Sequence, residues 1–210
     1  MGILTAQESF TSGIPNDITY GSGVSLDSGV GNPTPSIKSS GSGGTYWWAF
    51  NRGSRFDVTG DFDYSIDLYL ASGGRDICNV LFWGDAATTS VNGFCFRVQN
   101  SSSDGGFFIV TGGSHSAIGS PTSVVSPDTW YTVRLQATGN IVTATVTQIS
   151  DSSVLVNYSL DLTSYLDGSH LTEGIFGQKA DGAGTVDYWD NAILYTPGSL
   201  IGPFPTFLRI

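Results

Sequence analysis

The chain has 210 residues, a formal net charge of −10, and only 12% charged residues against 40% hydrophobic ones. That apolar fraction supports a substantial core and excludes a disordered chain despite 28 glycines. Eight basic residues against eighteen acidic ones, only two of them Glu, exclude a phosphate-binding surface of clustered Lys and Arg, and so exclude nucleic acid as a partner.

The first residues, Met1-Gly-Ile-Leu-Thr-Ala-Gln-Glu8, carry neither a basic start nor a sustained apolar core. No later apolar run has the length of a membrane span, so membrane insertion is not expected. With Met1 as the native start, the protein is expected to be made in the cytoplasm. Gln7-Glu8-Ser9-Phe10 is the predicted first strand.

Strands without strict alternation are predicted at Pro35–Ser39, Tyr46–Phe50, Ile77–Trp83, Phe94–Gln99, Phe107–Thr111 and Gly174–Lys179. Trp47 and Trp48 must divide, one ring inward and one outward. In Asp61–Leu70, alternation puts Phe62, Tyr64, Ile66, Leu68 and Leu70 on one face and Asp61, Asp63, Ser65 and Asp67 on the other. Thr129–Ala137 likewise separates Tyr131, Val133 and Leu135 from Thr132, Arg134 and Gln136. Trp130 is expected to wedge between sheets. Thr138-Gly-Asn140 then turns the chain into Val142, Ala144 and Val146, and a second hairpin passes through Ser150–Ser153 into Val154–Leu160.

The last regular stretch, Gly184–Tyr195, sets Asp187 and Asp190 among aromatics and ends before Pro197-Gly198. A final strand of this kind is expected to pair with the first and close the sandwich. More than ten strands, short polar turns and almost no helix specify an all-β, two-sheet antiparallel jelly-roll sandwich over residues 1–196. Residues 197–210 differ. Pro197, Pro203 and Pro205 forbid a central strand, while Leu200, Ile201, Phe204, Phe207, Leu208 and Ile210 are apolar. These six are the candidate assembly residues of a docking tail, either on its own sandwich or on a neighbouring copy.

Glu8-Ser-Phe10, Gly31-Asn-Pro-Thr-Pro-Ser36, Asp128-Thr-Trp-Tyr-Thr-Val-Arg-Leu135 and Val186-Asp-Tyr-Trp-Asp-Asn-Ala-Ile-Leu-Tyr195 together resemble the concanavalin A-like lectin/glucanase superfamily, including laminin-G-like domains. The likeness spans nearly all of residues 1–196 and defines a fold rather than a reaction. Within it, the chain looks most like virion surface or tail proteins of bacterial viruses. The resemblance implies a non-catalytic virion structural protein, decorating a capsid or forming part of a tail. Its partners would be other virion proteins, copies of itself, and a host surface glycan. The alternative is a secreted lectin or carbohydrate-binding module, with a polysaccharide-degrading enzyme third.

For an enzyme the residues are poorly placed. A glycosidase needs two carboxylates flanking the scissile bond, and Glu8 and Glu173 are far apart in sequence. Asp61 and Asp63 belong to an alternating, solvated strand face. His115 and His170 sit in Gly/Ser-rich loops without a nearby Arg-Tyr constellation. A structural calcium is expected at Glu8 and Asp190, with Asp187 as the nearby alternate, because the resemblance implies an N-terminal acid and a C-terminal strand acid sharing one ion.

A glycan face follows from alternation. With Val80, Phe82, Phe94, Phe96 and Val98 as core, Asn79, Trp83, Arg97 and Gln99 fall on the opposite face. A stacking ring beside amides and a guanidinium is suited to a sugar; the competing reading is that Trp83 packs beneath a loop. The same assignment separates Cys78 from Cys95 and predicts free thiols. Asn100-Ser-Ser and Asn157-Tyr-Ser match the glycosylation pattern, at a frequency expected by chance in so Ser-rich a chain.

Overall fold

The computed structural model describes residues 2–31, 35–40, 45–72, 77–100, 105–119, 125–181 and 186–197. The six apolar positions of the tail lie outside them. The strands are β1 (Gly2–Glu8), β2 (Ile18–Tyr20), β3 (Val24–Asp27), β4 (Ser36–Ser40), β5 (Thr45–Phe50), β6 (Asp57–Thr59), β7 (Phe62–Leu70) and β8 (Ile77–Gly84). They continue with β9 (Gly93–Gln99), β10 (Gly106–Thr111), β11 (Ser114–Ala117), β12 (Trp130–Thr138), β13 (Ile141–Gln148), β14 (Val154–Asp161), β15 (Glu173–Asp181) and β16 (Val186–Pro197). A single 3-10 turn, Thr163–Tyr165, is the only helical element among the described residues.

Two eight-stranded sheets face each other. The first runs β14-β13-β12-β7-β16-β4-β3, with β1 also on β16; the second runs β11-β10-β9-β8-β15-β5-β2, with β6 also on β15. Every recorded pairing is antiparallel. The inward residues of β7, β12 and β13 are the ones alternation selects: Tyr64, Leu68, Tyr131, Val133, Leu135, Val142, Ala144 and Val146 are all fully buried. Facing them, Trp48, Val80, Phe82, Phe94, Phe96, Val98 and Phe107 complete the core. Each such large apolar side chain contributes about 1.5–3 kcal/mol on burial.

The sandwich closes through β16. This strand is central, not an edge: β7 flanks one side, while β4 and β1 divide the other, β4 along Val186–Trp189 and β1 along Ala192–Pro197. The expected pairing of first and last strands is therefore present, with Glu8 opposite Ala192 and Phe10 just past the end of β1. A bulge at Asp190-Asn191, with Asn191 at φ 48°, inserts one residue relative to β7. It allows Trp189 and Ala192 both to point into the core.

Trp130 does not wedge between the sheets. Tyr131 takes the inward position, so Trp130 lies outside the first sheet with its ring 5.4 Å from Tyr69, which in turn lies 5.7 Å from Tyr188. The short strands β2, β3, β6 and β11 carry too few residues for alternation to reveal them.

Candidate functional site

Strand β8 explains which expected site residues meet. Leu81 is opposite Cys95 on β9 and Asn79 is opposite Arg97, so these four point away from the core, as alternation requires. At Trp83 the alternation fails. Its φ is 50°, and four residues of β8, Leu81 to Gly84, run against three of β15, Gly177 to Ile175. The extra residue turns Trp83 inward beside Phe82. Its ring is 1% exposed and lies 5.4 Å from Phe62 and 6.2 Å from Phe94. Gly174 makes the bulge possible, because a Cβ there would come within 2.3 Å of Gly84 O.

Trp83 therefore offers no stacking surface to solvent, which corrects its sequence assignment. Gln99 and Asn79 are also fully buried, so of the four expected glycan residues Arg97 alone reaches solvent. Asn79 and Arg97 do meet: Arg97 Nε donates to Asn79 Oδ1 at 2.8 Å. The Arg97 guanidinium lies 4.0 Å above the centre of the Phe108 ring, an arrangement that fixes its plane.

Two further residues share this cross-strand row. Trp47 on β5 is opposite Lys179 on β15, and Lys179 is opposite Asn79. The row Trp47–Lys179–Asn79–Arg97 thus crosses four adjacent strands, about 14 Å at roughly 4.8 Å per strand. Trp48 takes the inward position of the Trp pair, 6.2 Å from Trp189, and Trp47 stays half-buried outside. Beside the row rises a wall. Leu81, Val91, Cys95, Phe108 and Val110 form a second apolar cluster outside the sheet, covered by the loop after β8. Gly113 N donates to Val91 O at 2.9 Å and ties that loop to the β10–β11 turn.

The two cysteines fall on opposite sides of the second sheet, Cys78 in the main core and Cys95 in the outer cluster, and no disulfide joins them.

The expected calcium residues lie on paired strands, with Glu8 opposite Ala192 and so two residues from Asp190, but Glu8 is taken up by other partners. Glu8 Oε1 accepts the Phe10 amide at 2.7 Å, and Glu8 Oε2 is held by the Arg55 guanidinium. The positive charge that balances Glu8 is Arg55. Asp190 is fully buried across the bulge, in register with Asp67, and its Oδ1 accepts the Asn191 amide at 2.8 Å. Asp187 points between the sheets, where Gln178 Nε2 donates to its Oδ2 at 3.3 Å. Among the described residues, no group of three or more acidic, His or Cys side chains has the arrangement of a metal site. These residues do not fit a shared ion.

The histidines are structural in geometry. His170 is 3% exposed, with Nδ1 3.0 Å from Asp167 Oδ1 and Nε2 3.0 Å from Val110 O. The Asp167 carboxyl is held below the usual range by the Ser169 amide first and by His170 second. His115 lies against Phe108, ring centroids 6.4 Å apart.

A larger depression lies on the opposite side of the molecule. Outside the first sheet, a groove of about 830 Å³ runs between the β7–β12 ladder and the end of β16, from Asp61 and Thr138 to Gly2 and Pro197. Arg134 Nε donates to Asp63 Oδ1 at 2.8 Å, and Gln136 Nε2 to Asp63 Oδ2 at 3.2 Å. Alternation already places Asp63, Arg134 and Gln136 outward; their convergence depends on register, which composition and spacing do not supply.

No protein-family model matches the chain. No curated protein matches it in sequence. Its fold does have solved relatives. Carbohydrate-binding module CBM66 from Bacillus subtilis superimposes with a TM-score of 0.59 at 15% identity, covering 86% of this chain and 96% of that one. The exoplasmic/lumenal domain of VIP36, in a form with Ca2+ and Man2 bound, gives 0.61 at 7% identity, covering 94% and 89%. A xylan β-1,4-xylosidase from Bacillus halodurans gives 0.52 at 12% identity, over 77% of this chain but 33% of that one. The architecture is the concanavalin A-like jelly-roll sandwich of the legume lectins.

Proposed function

We propose that the protein is a non-catalytic carbohydrate-binding module or lectin that recognises a glycan along the outer face of the second sheet. The observation that carries this reading is the placement of Trp47 and Arg97 in one cross-strand register, with the Arg97 guanidinium locked over Phe108 and hydrogen-bonded to Asn79. The half-buried Trp47 ring supplies a stacking surface and the partly exposed Arg97 guanidinium supplies hydrogen bonds of fixed direction, while the fully buried Asn79 acts by holding Arg97 in place. The adjoining apolar cluster of Leu81, Val91, Cys95, Phe108 and Val110 flanks the row on one side. The lectin and carbohydrate-binding folds among the structural relatives support the same reading. A virion setting draws no support from those relatives; glycan recognition is common to that setting and to a secreted lectin.

A non-catalytic role is supported by the chemistry of the row. Glycoside hydrolysis uses two carboxyl groups about 5–9.5 Å apart across the scissile bond, and none of the four residues of the row is acidic. Glu8 is engaged by Arg55, and Glu173 lies 3.9 Å from Arg52.

The test is affinity electrophoresis of the full chain through gels containing soluble β-glucan, xylan, galactan, mannan or a uronic-acid polymer. Retardation in at least one gel is expected, and Trp47→Ala and Arg97→Lys should each abolish it. Arg97→Lys keeps the charge and loses the fork, so it separates directed hydrogen bonding from simple attraction. Unretarded migration in every gel, or retardation indifferent to both substitutions, would sink the proposal.

A further inference from the structure

We infer that the groove outside the first sheet is a second saccharide site, independent of the row on the second sheet, and that one chain can therefore join two glycan strands. The groove's volume of about 830 Å³ falls within the range of about 300–1,000 Å³ usual for ligand sites. Its floor is a cross-strand row in which Gln136, Asp63 and Tyr195 stand side by side on β12, β7 and β16. The neighbouring row is Arg134, Ser65 and Ile193.

The polar groups are held in place before any ligand arrives. Asp63 accepts from both Arg134 and Gln136, which fixes the guanidinium and amide planes. Arg134 Nη1, Gln136 Oε1 and the Tyr195 hydroxyl make no hydrogen bond among the described residues. That leaves one fixed donor, one fixed acceptor and one group able to do either. Sugar hydroxyls both donate and accept, so vicinal hydroxyls match this set, whereas an apolar ligand would strand all three.

The Tyr195 side chain adds an aromatic surface that is 37% exposed at the groove wall. Charge narrows the class further. Asp61 and Asp63 outnumber the single cation Arg134, so the groove repels anions and favours a neutral saccharide over a uronic acid or a phosphate.

The two sites lie on outward faces of opposed sheets, whose backbones are separated by about 10 Å of core. A single oligosaccharide cannot wrap from one to the other without crossing an edge of the sandwich. Two strands held by one chain would be cross-linked without any oligomerisation of the protein.

Calorimetric titration of the full chain with xylotriose, mannotriose and β-1,4-galactotriose tests this, together with turbidity in the matching soluble polysaccharides. The expected result is that the Arg97→Lys protein retains one site for at least one of these probes. Tyr195→Ala and Gln136→Ala in that background should weaken it about tenfold or more, a loss of the size found for a binding hot spot. Both residues lie outside the core, and an unchanged melting temperature would show that the fold survives. The unsubstituted chain should give two sites and turbidity, and loss of either site should remove the turbidity.

Complete loss of binding in the Arg97→Lys protein would overturn this inference while leaving the second-sheet reading intact. Binding that ignores Arg97 but requires Tyr195 and Gln136 would do the reverse. Residual binding in the Arg97→Lys protein that ignores Tyr195 and Gln136 would also overturn it. No heat with any probe, for any of these proteins, would overturn both.

Discussion

On the first sheet, the outward residues of β7 and β12 meet as an ion pair, Asp63 with Arg134, and stay in water with side-chain exposures of 27% and 48%. On the second sheet, the outward residues of β8, β9 and β10 include Leu81, Cys95 and Phe108, and they are buried under the loop carrying Val91. Both faces arise from strict alternation. What separates them is the chemistry of the outward positions, which decides whether a loop gains by covering them. The polar face leaves an open groove with hydrogen-bonding groups to spare, and the apolar face builds a wall that orients one arginine. A site on the second sheet should therefore depend on apolar packing, and one on the first sheet should not.

The comparison is tested most severely at Phe108. Phe108→Ala removes a buried ring and the support beneath Arg97, at a cost of about 3 kcal/mol. Thermal melting should show the loss, and glycan retention through the second sheet should fall with it. An unchanged melting curve would mean that the outer cluster is not a packed unit.

Gly113 comes next. At φ 81° its added Cβ would lie 1.9 Å from Thr89 O, so Gly113→Ala forces the loop outward. Overpacking of this type costs about 1–3 kcal/mol. Chemical denaturation should register it, and hydrogen exchange should quicken at Val91 but not at Arg134. Equal quickening at both would erase the distinction between the faces.

On the first sheet the effects are smaller. Asp63→Ala breaks a partly exposed pair, and the unfolding free energy from denaturant titration should fall by less than about 1 kcal/mol. A larger loss would show that this face, too, is structural. Glu8→Gln should likewise change the melting temperature by the same amount with and without chelator, because Arg55 supplies the opposing charge.

The least effect at neutral pH is expected at the turns. The Ser153 amide holds the Asp151 carboxyl below its ordinary range, and the Thr163 side chain and then its amide do the same for Asp161. A carboxyl whose folded value is depressed adds stability above its unfolded value of about 3.9, and that stability is lost as pH falls through the folded value. Asp151→Asn keeps the acceptor and loses the titration. Its melting temperature should match that of the parent at pH 7 and decline less between pH 4 and pH 2. Parallel acid limbs would contradict the assignment.

Strand positions were legible wherever alternation ran unbroken, as in β7, β12 and β13, because one buried face imposes period two. The inward and outward sets of Phe62–Leu70 and Tyr131–Gln136 could be read directly. The same rule failed at Trp83, where a bulge added one residue and reversed the face. The nearby glycines that admit the bulge, Gly84 and Gly174, are 90 residues apart in sequence and gave no local signal.

Asn79 and Arg97 keep the outward side that alternation gives them because they precede or oppose the regular part of β8, whereas Trp83 follows it; Asn79 is nonetheless fully buried. Trp47 and Phe108 come beside Asn79 and Arg97 through register across β5, β15 and β10, which no spacing encodes. Glu8 and Asp190 were brought to paired strands as expected, yet their side-chain partners, Arg55 for Glu8 and Asn191 for Asp190, come from loop and bulge geometry.

The most direct test of glycan recognition on the second sheet is a nuclear magnetic resonance titration of the full chain with the best-retained oligosaccharide. Two side-chain signals, the Trp47 indole N–H and the Arg97 Nε–H, report from the two ends of the proposed contact. Both are expected to shift in a saturable manner, with backbone amides of β8 and β9 following near Asn79 and Arg97. Saturable shifts confined to other parts of the molecule, with Trp47 and Arg97 unmoved, would contradict the account.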